Sequence, residues 1–159
     1  MAERPPLDES TDPARVAELL NRHRGGFDAQ LGLEFVYCSG EKVVAKLPVT
    51  DGLKQPYGIV HGGVHCSVIE TVCSTGAALA SMSRGQSTVG LENSTSFLKA
   101  VREGTLTVTA TPLTRGRRSQ VWEARVTDDD GRLIATGRVR LLALESGSQL
   151  AGEPAGMKS

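Results

Sequence analysis

The sequence has no excess of charge of either sign, because 18 lysine and arginine residues balance 18 aspartate and glutamate residues. A balanced chain has no global field that would attract nucleic acid or an anionic membrane surface. Any anionic partner must be held by a local group of basic residues. The sequence also has no long apolar run without polar groups, since residues 64–82 include His65, Glu70 and several serines. A carboxylate inside a bilayer is costly, so this run is not expected to span a membrane.

Cysteine is scarce and odd in number, with Cys38, Cys66 and Cys73 alone in the chain. Their spacing matches no metal-binding pattern, and two lie in the apolar run, where free thiols commonly pack. We interpret them as reduced packing residues of a cytoplasmic protein that has no metal site. The polar, acidic start of the sequence also lacks the apolar segment of a secretory signal.

A chain of 159 residues is predicted to form one domain. Residues 1–13 combine prolines with acids and are expected to be a mobile leader. Residues 14–144 carry the periodic patterns of a single folded domain. Residues 145–159, rich in glycine and serine, are expected to be a flexible tail.

Hydrophobic periodicity predicts an α+β fold. A short helix is expected from Pro13 to about His23, where two glycines end it. Two strands within 31–49 meet at Ser39-Gly40, and a long helix runs from Gly62 to about Ser81. Four strands follow at about 88–99, 105–113, 119–127 and 132–144, and the turn Asp130-Gly131 predicts that the last two pair antiparallel. This order favours an antiparallel sheet with one long helix buried against it.

Glu70 is the only formally charged side chain between Lys54 and Arg84. On a helical wheel, only small residues surround it, namely Gly63, Cys66, Ser67, Cys73, Ser74, Ala77 and Ser81. A surface position, or a bond to a distant basic residue, is the alternative explanation. An exposed face would carry more charged side chains, however, and burying an acid is costly. The pattern therefore predicts a tight contact or pocket in which the carboxylate acts as a general base or nucleophile.

The opposite side of the predicted helix carries branched residues suited to packing on a sheet, namely Val64, Val68, Val72 and Leu79. His65 projects about 140° from Glu70, towards this core side. We interpret it as a satisfied structural histidine without a catalytic role.

The segment His61-Gly62-Gly63 opens the long helix. A helix N-terminus presents unpaired amides and partial positive charge, and glycine lets a ligand approach closely, which suits a developing oxyanion. Simple turn geometry is the alternative. Gly62 and Glu70 are about 12 Å apart along one helix, too far to act on the same carbonyl. A second, antiparallel copy would bring Glu70 of one chain to the Gly62 amide of the other, creating two sites by two-fold symmetry.

Two more side chains are candidates for the same chemistry. Ser74, one turn after Glu70, is placed to orient the carboxylate or an attacking water. Gln55, in the irregular loop before the helix, is placed to bind a carbonyl or the same water.

The pattern Gln55-Pro56-x-Gly58-x-x-His61-Gly62-Gly63, followed by Glu70 and Ser74, resembles the hotdog-fold acyl-CoA thioesterases. The similarity is to the branch of phenylacetate-pathway, enterobactin-pathway and Arthrobacter-type 4-hydroxybenzoyl-CoA enzymes, and it covers roughly residues 30–144. It implies a hotdog fold, in which an antiparallel sheet wraps a long central helix. It also implies a homodimer with a continuous double sheet, and a homotetramer built from two dimers.

The resemblance implies hydrolysis of acyl-CoA or aroyl-CoA to the free acid and coenzyme A, which is part of the substrate, with no cofactor. The Gly62 amide would polarise the thioester carbonyl, with Gln55 and His61 beside it. Glu70 of the partner subunit would be the nucleophile or general base, and Ser74 would position it or the water.

Contacts to coenzyme A are expected at Gly63, Lys99, Arg117, Arg118 and Ser119. The loop 115–119 is the densest basic patch of the chain, although a solvated hairpin turn is the alternative. Where family members often have proline, this chain has Ala100. A non-catalytic acyl-CoA sensor on the same scaffold is the second hypothesis. A hotdog hydratase ranks last, because the helix region lacks its Asp-x-x-x-x-His pattern.

Overall fold

The computed structural model describes residues 10–155, so most of the predicted leader lies outside the described residues. The helices are α1 (Pro13–Arg22), α2 (Gly26–Leu31) and α3 (Gly62–Ser81), with 3-10 turns at Asp51–Leu53 and Met82–Arg84. The long strands are β1 (Glu34–Cys38), β2 (Val43–Pro48), β3 (Ser87–Phe97), β4 (Thr105–Arg115), β5 (Ser119–Thr127) and β6 (Leu133–Leu144). Two short strands follow, β7 (Gln149–Leu150) and β8 (Glu153–Pro154). None of the described helices is long and apolar enough to cross a bilayer.

Strands β1 to β6 form one sheet in the order β1-β2-β4-β5-β6-β3. Every neighbouring pair in it is antiparallel. Helix α3 packs against this sheet and contacts β2 to β6. The predicted α+β architecture is therefore confirmed, as is the antiparallel pairing of β5 with β6. The Asp128 carboxylate stabilises their turn by accepting hydrogen bonds from the backbone amides of Asp130 and Arg132.

The core lies between α3 and the sheet. Val64, Val68 and Val72 are buried there, as the helical wheel predicts. The largest core side chain, Trp122, lies on α3 at Gly76, where an added Cβ would be only 2.4 Å from the indole ring. The Trp122 indole N–H donates to Gln120 Oε1 at 2.9 Å, and Gln120 Nε2 donates to Ser81 Oγ at 2.7 Å. This side of the helix is sealed by the chain itself.

The burial of this side corrects the interpretation that the whole small face around Glu70 is open to a partner or a substrate. Cys73, Ala77 and Ser81 belong to the small face around Glu70, yet all three are fully buried within one chain. The reason is that Trp122 and Gln120 of β5 lie against the second half of α3, and small residues there make room for them. The partly exposed part of the small face lies around Glu70 and towards the helix start, and it includes Cys66, Ser67 and Ser74.

Two ordered segments were not anticipated from the sequence. Helix α2 follows Gly25, ends at Gly32 with φ 75°, and is tied to α3 by a hydrogen bond from Thr71 Oγ1 to Asp28 Oδ1 at 2.8 Å. Strands β7 and β8 form a hairpin inside the segment expected to be a flexible tail. The expectation for residues 156–159 lies outside the described residues.

The two edges of the sheet differ. At β1, the Asn21 side chain of α1 both donates to and accepts from the backbone of Phe35, at 2.8 and 2.9 Å, so the helix covers this edge at that residue. At the other edge, β3 has 11 residues and no neighbour on its outer side within the described chain. Leu91 and Phe97 on this strand are 50% and 57% exposed. Natural sheets rarely leave such a long edge uncovered.

Candidate active site

The N-terminus of α3 has one backbone donor without a partner. His61 is the N-cap residue, and its Nδ1 atom accepts a hydrogen bond from the Gly63 amide at 2.9 Å. The Val64 amide donates to the His61 carbonyl, also at 2.9 Å. Within residues 10–155, no group accepts the Gly62 amide. It is therefore a free donor at the positive end of a long helix.

Gly62 lines a cleft of about 250 Å³, together with Gln55, His65, Phe97 and Lys99. We call it the Gln55 cleft. A tight turn presents Gln55, because its backbone amide donates to the Ile59 carbonyl and its own carbonyl accepts from Gly58. The structure thus brings three predicted site residues, Gln55, Gly62 and Lys99, around one cavity.

A second cleft, of about 500 Å³, lies on the other side of the helix end. Its lining includes Phe27, Leu53, Lys54, His61 and Ser67. We call it the Phe27 cleft. Gly63 also lines it, although the amide of Gly63 is occupied by His61. His61 therefore both lines this cleft and caps the N-terminus of α3.

Glu70 is half-buried and held only by neutral donors. Its Oε2 atom accepts from Asn93 Nδ2 at 2.9 Å, and Oε1 accepts from Ser74 Oγ at 3.3 Å. Asn93 Nδ2 also donates to the Cys66 carbonyl at 3.1 Å, which fixes the amide against the helix. No lysine or arginine of the described residues forms a salt bridge with Glu70. The carboxylate is oriented without being neutralised.

A β-bulge places β3 against this carboxylate. An added Cβ at Gly90 would be 2.3 Å from Glu70 Oε1, so any larger residue there would displace the carboxylate from this position. Gly90 and Asn93 both face Glu70, although residues three apart in a regular strand face opposite sides. The register with β6 shifts between Gly90 and Glu92. The bulge adds one residue to β3 at this point, so Asn93 faces the same side of the strand as Gly90.

The remaining predicted contacts lie elsewhere in the chain. Arg117, Arg118 and Ser119 are at the β4–β5 turn, and Gln86, just beyond the C-terminal end of α3, donates to the Arg117 carbonyl at 3.2 Å. They line neither the Gln55 cleft nor the Phe27 cleft. Glu70 and Ser74 also line neither cleft. One protomer therefore keeps the acid, the free amide and the basic turn apart.

Sequence reasoning missed Asn93 and misjudged His65. Asn93 lies in the strand segment LENSTSF, and the bulge that turns it towards Glu70 has no signature in the alternation of the strand. His65 is buried as predicted, but its Nδ1 atom has no hydrogen-bond partner within residues 10–155, so the histidine is not satisfied. Burial lowers its pKa.

Burial also controls two thiols. It raises the pKa of Cys38 to about 12. The pKa of Cys73 is raised by burial and, to a smaller extent, by the negative charges of Glu70 and Glu123. Both are therefore protonated packing residues at neutral pH, in agreement with the sequence interpretation. Within residues 10–155, no group of three or more histidine, cysteine or acidic side chains is placed to hold a metal ion.

Comparison with known proteins assigns the chain to a family. Residues 57–135 match the thioesterase superfamily. The Mycobacterium tuberculosis protein Rv1847 is 43% identical over 122 residues, which cover 76% of this chain and 87% of that protein. The chain belongs to the thioesterase superfamily. The solved structure of Rv1847 superposes on this thioesterase with a TM-score of 0.74, covering 76% of this chain and 97% of that one.

Two further relatives have names that state a reaction. A 1,4-dihydroxy-2-naphthoyl-CoA hydrolase of Listeria monocytogenes is 34% identical over 113 residues, which cover 71% of this thioesterase and 91% of the hydrolase. The structure of thioesterase HI1161 from Haemophilus influenzae has a TM-score of 0.77 at 28% identity, covering 87% and 95% of the two chains. The predicted hotdog fold and thioester-hydrolase class are confirmed. The branch within the family stays a prediction.

Proposed function

We propose that this thioesterase hydrolyses acyl-CoA or aroyl-CoA to the free acid and coenzyme A, in sites that two protomers build together. The proposal depends on the distance between two reactive groups on one helix, a hydrogen-bond donor and a carboxylate. A free Gly62 amide and an oriented Glu70 carboxylate are eight residues apart, hence about 12 Å. A thioester carbonyl is too small to meet both in one chain.

The chemistry follows from what each group can do. The Gly62 amide and the positive helix end would stabilise negative charge on the carbonyl oxygen. The Glu70 carboxylate would either attack the carbonyl carbon, giving an anhydride that water then hydrolyses, or take a proton from the attacking water. In both routes the C–S bond breaks and coenzyme A leaves as its thiol. Ser74 and Asn93 would keep the carboxylate in position.

The open edge of β3 supports the dimer. A second β3 pairing there would extend the sheet and cover Leu91 and Phe97, which are half-exposed in the single chain. Two α3 helices would then lie side by side along their partly exposed first halves. In an antiparallel pair, each Glu70 would face the Gly62 amide of the partner. A homotetramer, formed from two such dimers, remains a prediction from the resemblance.

The same antiparallel arrangement gives the basic turn a role. Within one chain, Arg117 and Arg118 lie near the C-terminal end of α3, far from Gly62. In the dimer, the basic turn of one protomer approaches the helix start of the other, where the anionic nucleotide of coenzyme A leaves the cleft. Lys99 would add a positive charge at the Gln55 cleft. The Listeria relative, a CoA hydrolase by name, supports a CoA thioester as substrate.

Thiol release from a panel of acyl- and aroyl-CoA substrates tests the proposal, with wild-type protein compared with Glu70→Gln. The variant keeps the size of the side chain and one of its two acceptor oxygens but has no charge. We expect substrate binding within a fewfold of wild type and a loss of about 10³-fold or more in kcat. Equal rates would remove the proposed role of Glu70. Tight binding of acyl-CoA without thiol release by wild type would favour the sensor hypothesis.

A further inference from the structure

His65 lines the Gln55 cleft one helical turn after Gly62. Its side chain is 3% exposed, and its Nδ1 atom is the one buried side-chain nitrogen or oxygen of the described residues without a hydrogen-bond partner. Buried polar atoms in native proteins are nearly always satisfied, because an unpaired one destabilises the fold. An unpaired imidazole at the wall of a substrate cleft is explained if the substrate supplies the partner.

The surroundings of His65 decide what kind of partner fits. The ring of Phe97 lies 6.0 Å from the imidazole, centroid to centroid, and the amide of Gln55 and the ammonium of Lys99 line the same cavity. Burial lowers the pKa of His65, so the ring is neutral at pH 7 and offers one donor and one acceptor. A neutral imidazole suits a hydroxyl or an amide rather than a phosphate or a carboxylate.

We propose that His65 is a substrate-binding residue whose imidazole hydrogen-bonds a neutral polar group of the thioester, either a hydroxyl on the acyl group or an amide of the pantetheine arm. The proposal rests on the proposed function. His65 lies about 4.5 Å from Gly62 along the helix, so the bound group is within a few bonds of the thioester carbonyl. A pocket that pairs a buried polar group with its substrate rejects the analogue that lacks the group.

The test compares wild type, His65→Leu and His65→Gln on matched substrates. The pairs are benzoyl-CoA with the three monohydroxybenzoyl-CoA isomers, and butyryl-CoA with 3-hydroxybutyryl-CoA. A benzoyl thioester of an alkanethiol without amides completes the set. If an acyl hydroxyl is the partner, His65→Leu lowers kcat/KM about tenfold more for a hydroxylated substrate than for its parent. If a pantetheine amide is the partner, all CoA thioesters lose equally and the alkanethiol ester does not change. In either case His65→Gln recovers part of the loss.

Thermal unfolding separates this role from a structural one. Removing an unpaired buried polar group should leave the Tm of His65→Leu unchanged or higher, whereas loss of a satisfied core histidine would lower it. Values of kcat/KM within twofold of wild type for every substrate would overturn the His65 proposal alone. A wild-type protein that releases no thiol from any of them would overturn the proposed function, and the His65 proposal with it.

Discussion

The two halves of helix α3 contain the same kinds of small residue, yet they are covered differently, so we call the first half the open flank and the second half the sealed flank. On one flank, Gly76, Ala77 and Ser81 are sealed by Trp122 and Gln120 of the same chain. On the other, Glu70 is half-buried beside an edge strand without a neighbour. The sealed flank holds the fold together, and the open flank holds groups that a single protomer cannot use. Variants on the two flanks should therefore affect different measurements.

After Glu70→Gln, the largest expected effect of a change on the open flank is the loss of the Gly62 donor. Gly62→Pro removes the N–H, and proline is well tolerated at the first position of a helix. His61 already has the extended backbone, φ −66° and ψ 138°, that a residue before proline requires. We expect a kcat lower than that of Gly62→Ala by about 10²–10³-fold, as for loss of one oxyanion donor.

Gly62→Ala is the matched control, because both variants place a Cβ about 2.8 Å from the Phe97 ring, and only the alanine variant keeps the amide hydrogen. Any shift of the Phe97 ring is therefore common to both variants, and their comparison isolates the amide hydrogen. Circular dichroism would check that the helix persists in both variants. Equal activity of the two variants would show that the Gly62 amide takes no part in catalysis.

Mixing two inactive variants is the next test, because it asks whether a site uses both protomers. Glu70→Gln and Gly62→Pro protomers, unfolded together and refolded at equal amounts, form half of their dimers as hybrids. Each hybrid has one intact site and one doubly defective site, so we expect about a quarter of the wild-type rate per protomer. A mixture no more active than its components would place both groups in a single-chain site.

A smaller effect is expected at Asn93, the residue that orients Glu70 from the edge strand. Asn93→Ala removes the hydrogen bonds to Glu70 Oε2 and to the Cys66 carbonyl. A misplaced carboxylate should lower kcat by about 10–100-fold. Because Asn93 is exposed in the chain, the urea midpoint should change little.

Ser94→Ala is the control for Asn93, since the neighbouring side chain points to the other face of the strand. It should keep wild-type kinetics. If both variants lost activity equally, the effect would come from the strand and not from the contact with Glu70.

The smallest expected effect is on the sealed flank, where stability and not turnover should change. Alanine normally stabilises a helix relative to glycine by up to about 1 kcal/mol. At Gly76 the added Cβ would meet the Trp122 ring at 2.4 Å, and overpacking of this kind costs about 1–3 kcal/mol. We therefore expect Gly76→Ala to lower the free energy of unfolding in urea by about 1 kcal/mol while kcat per folded protomer is unchanged.

A double-mutant cycle with Trp122→Phe tests the reason for that loss. The atoms nearest to the added Cβ belong to the six-membered ring of the indole, which phenylalanine does not place there. The two substitutions should therefore be less destabilising together than the sum of the single changes. Strict additivity would mean that the Trp122 ring is not what requires glycine at this position.

The course of the chain was well predictable from local patterns. Helix α3 begins at Gly62 and ends at Ser81, as expected, because its apolar run is long and glycines lie at its start. Strands β4, β5 and β6 were located to within a few residues by their alternation. Helix α2 was missed because six residues next to glycines give too short a periodic pattern.

The candidate site was predictable only where the sequence itself is unusual. Glu70 was found because no other charge lies near it in the sequence, and Gly62 because it starts the long helix. Asn93 was not found, since it reaches Glu70 through a register shift at Leu91 that is a property of strand pairing. A small residue such as Ala77 also cannot reveal whether its neighbour comes from the same chain or from another.

The uncovered β3 edge has a consequence for the order of events after denaturant is removed. Burial of Trp122 needs one chain only, so its fluorescence should recover at a rate independent of protein concentration. Turnover, in contrast, would begin only after two folded chains collide, with a lag that lengthens as the solution is diluted. A newly made chain would then be complete in shape but chemically silent until a second copy is within reach.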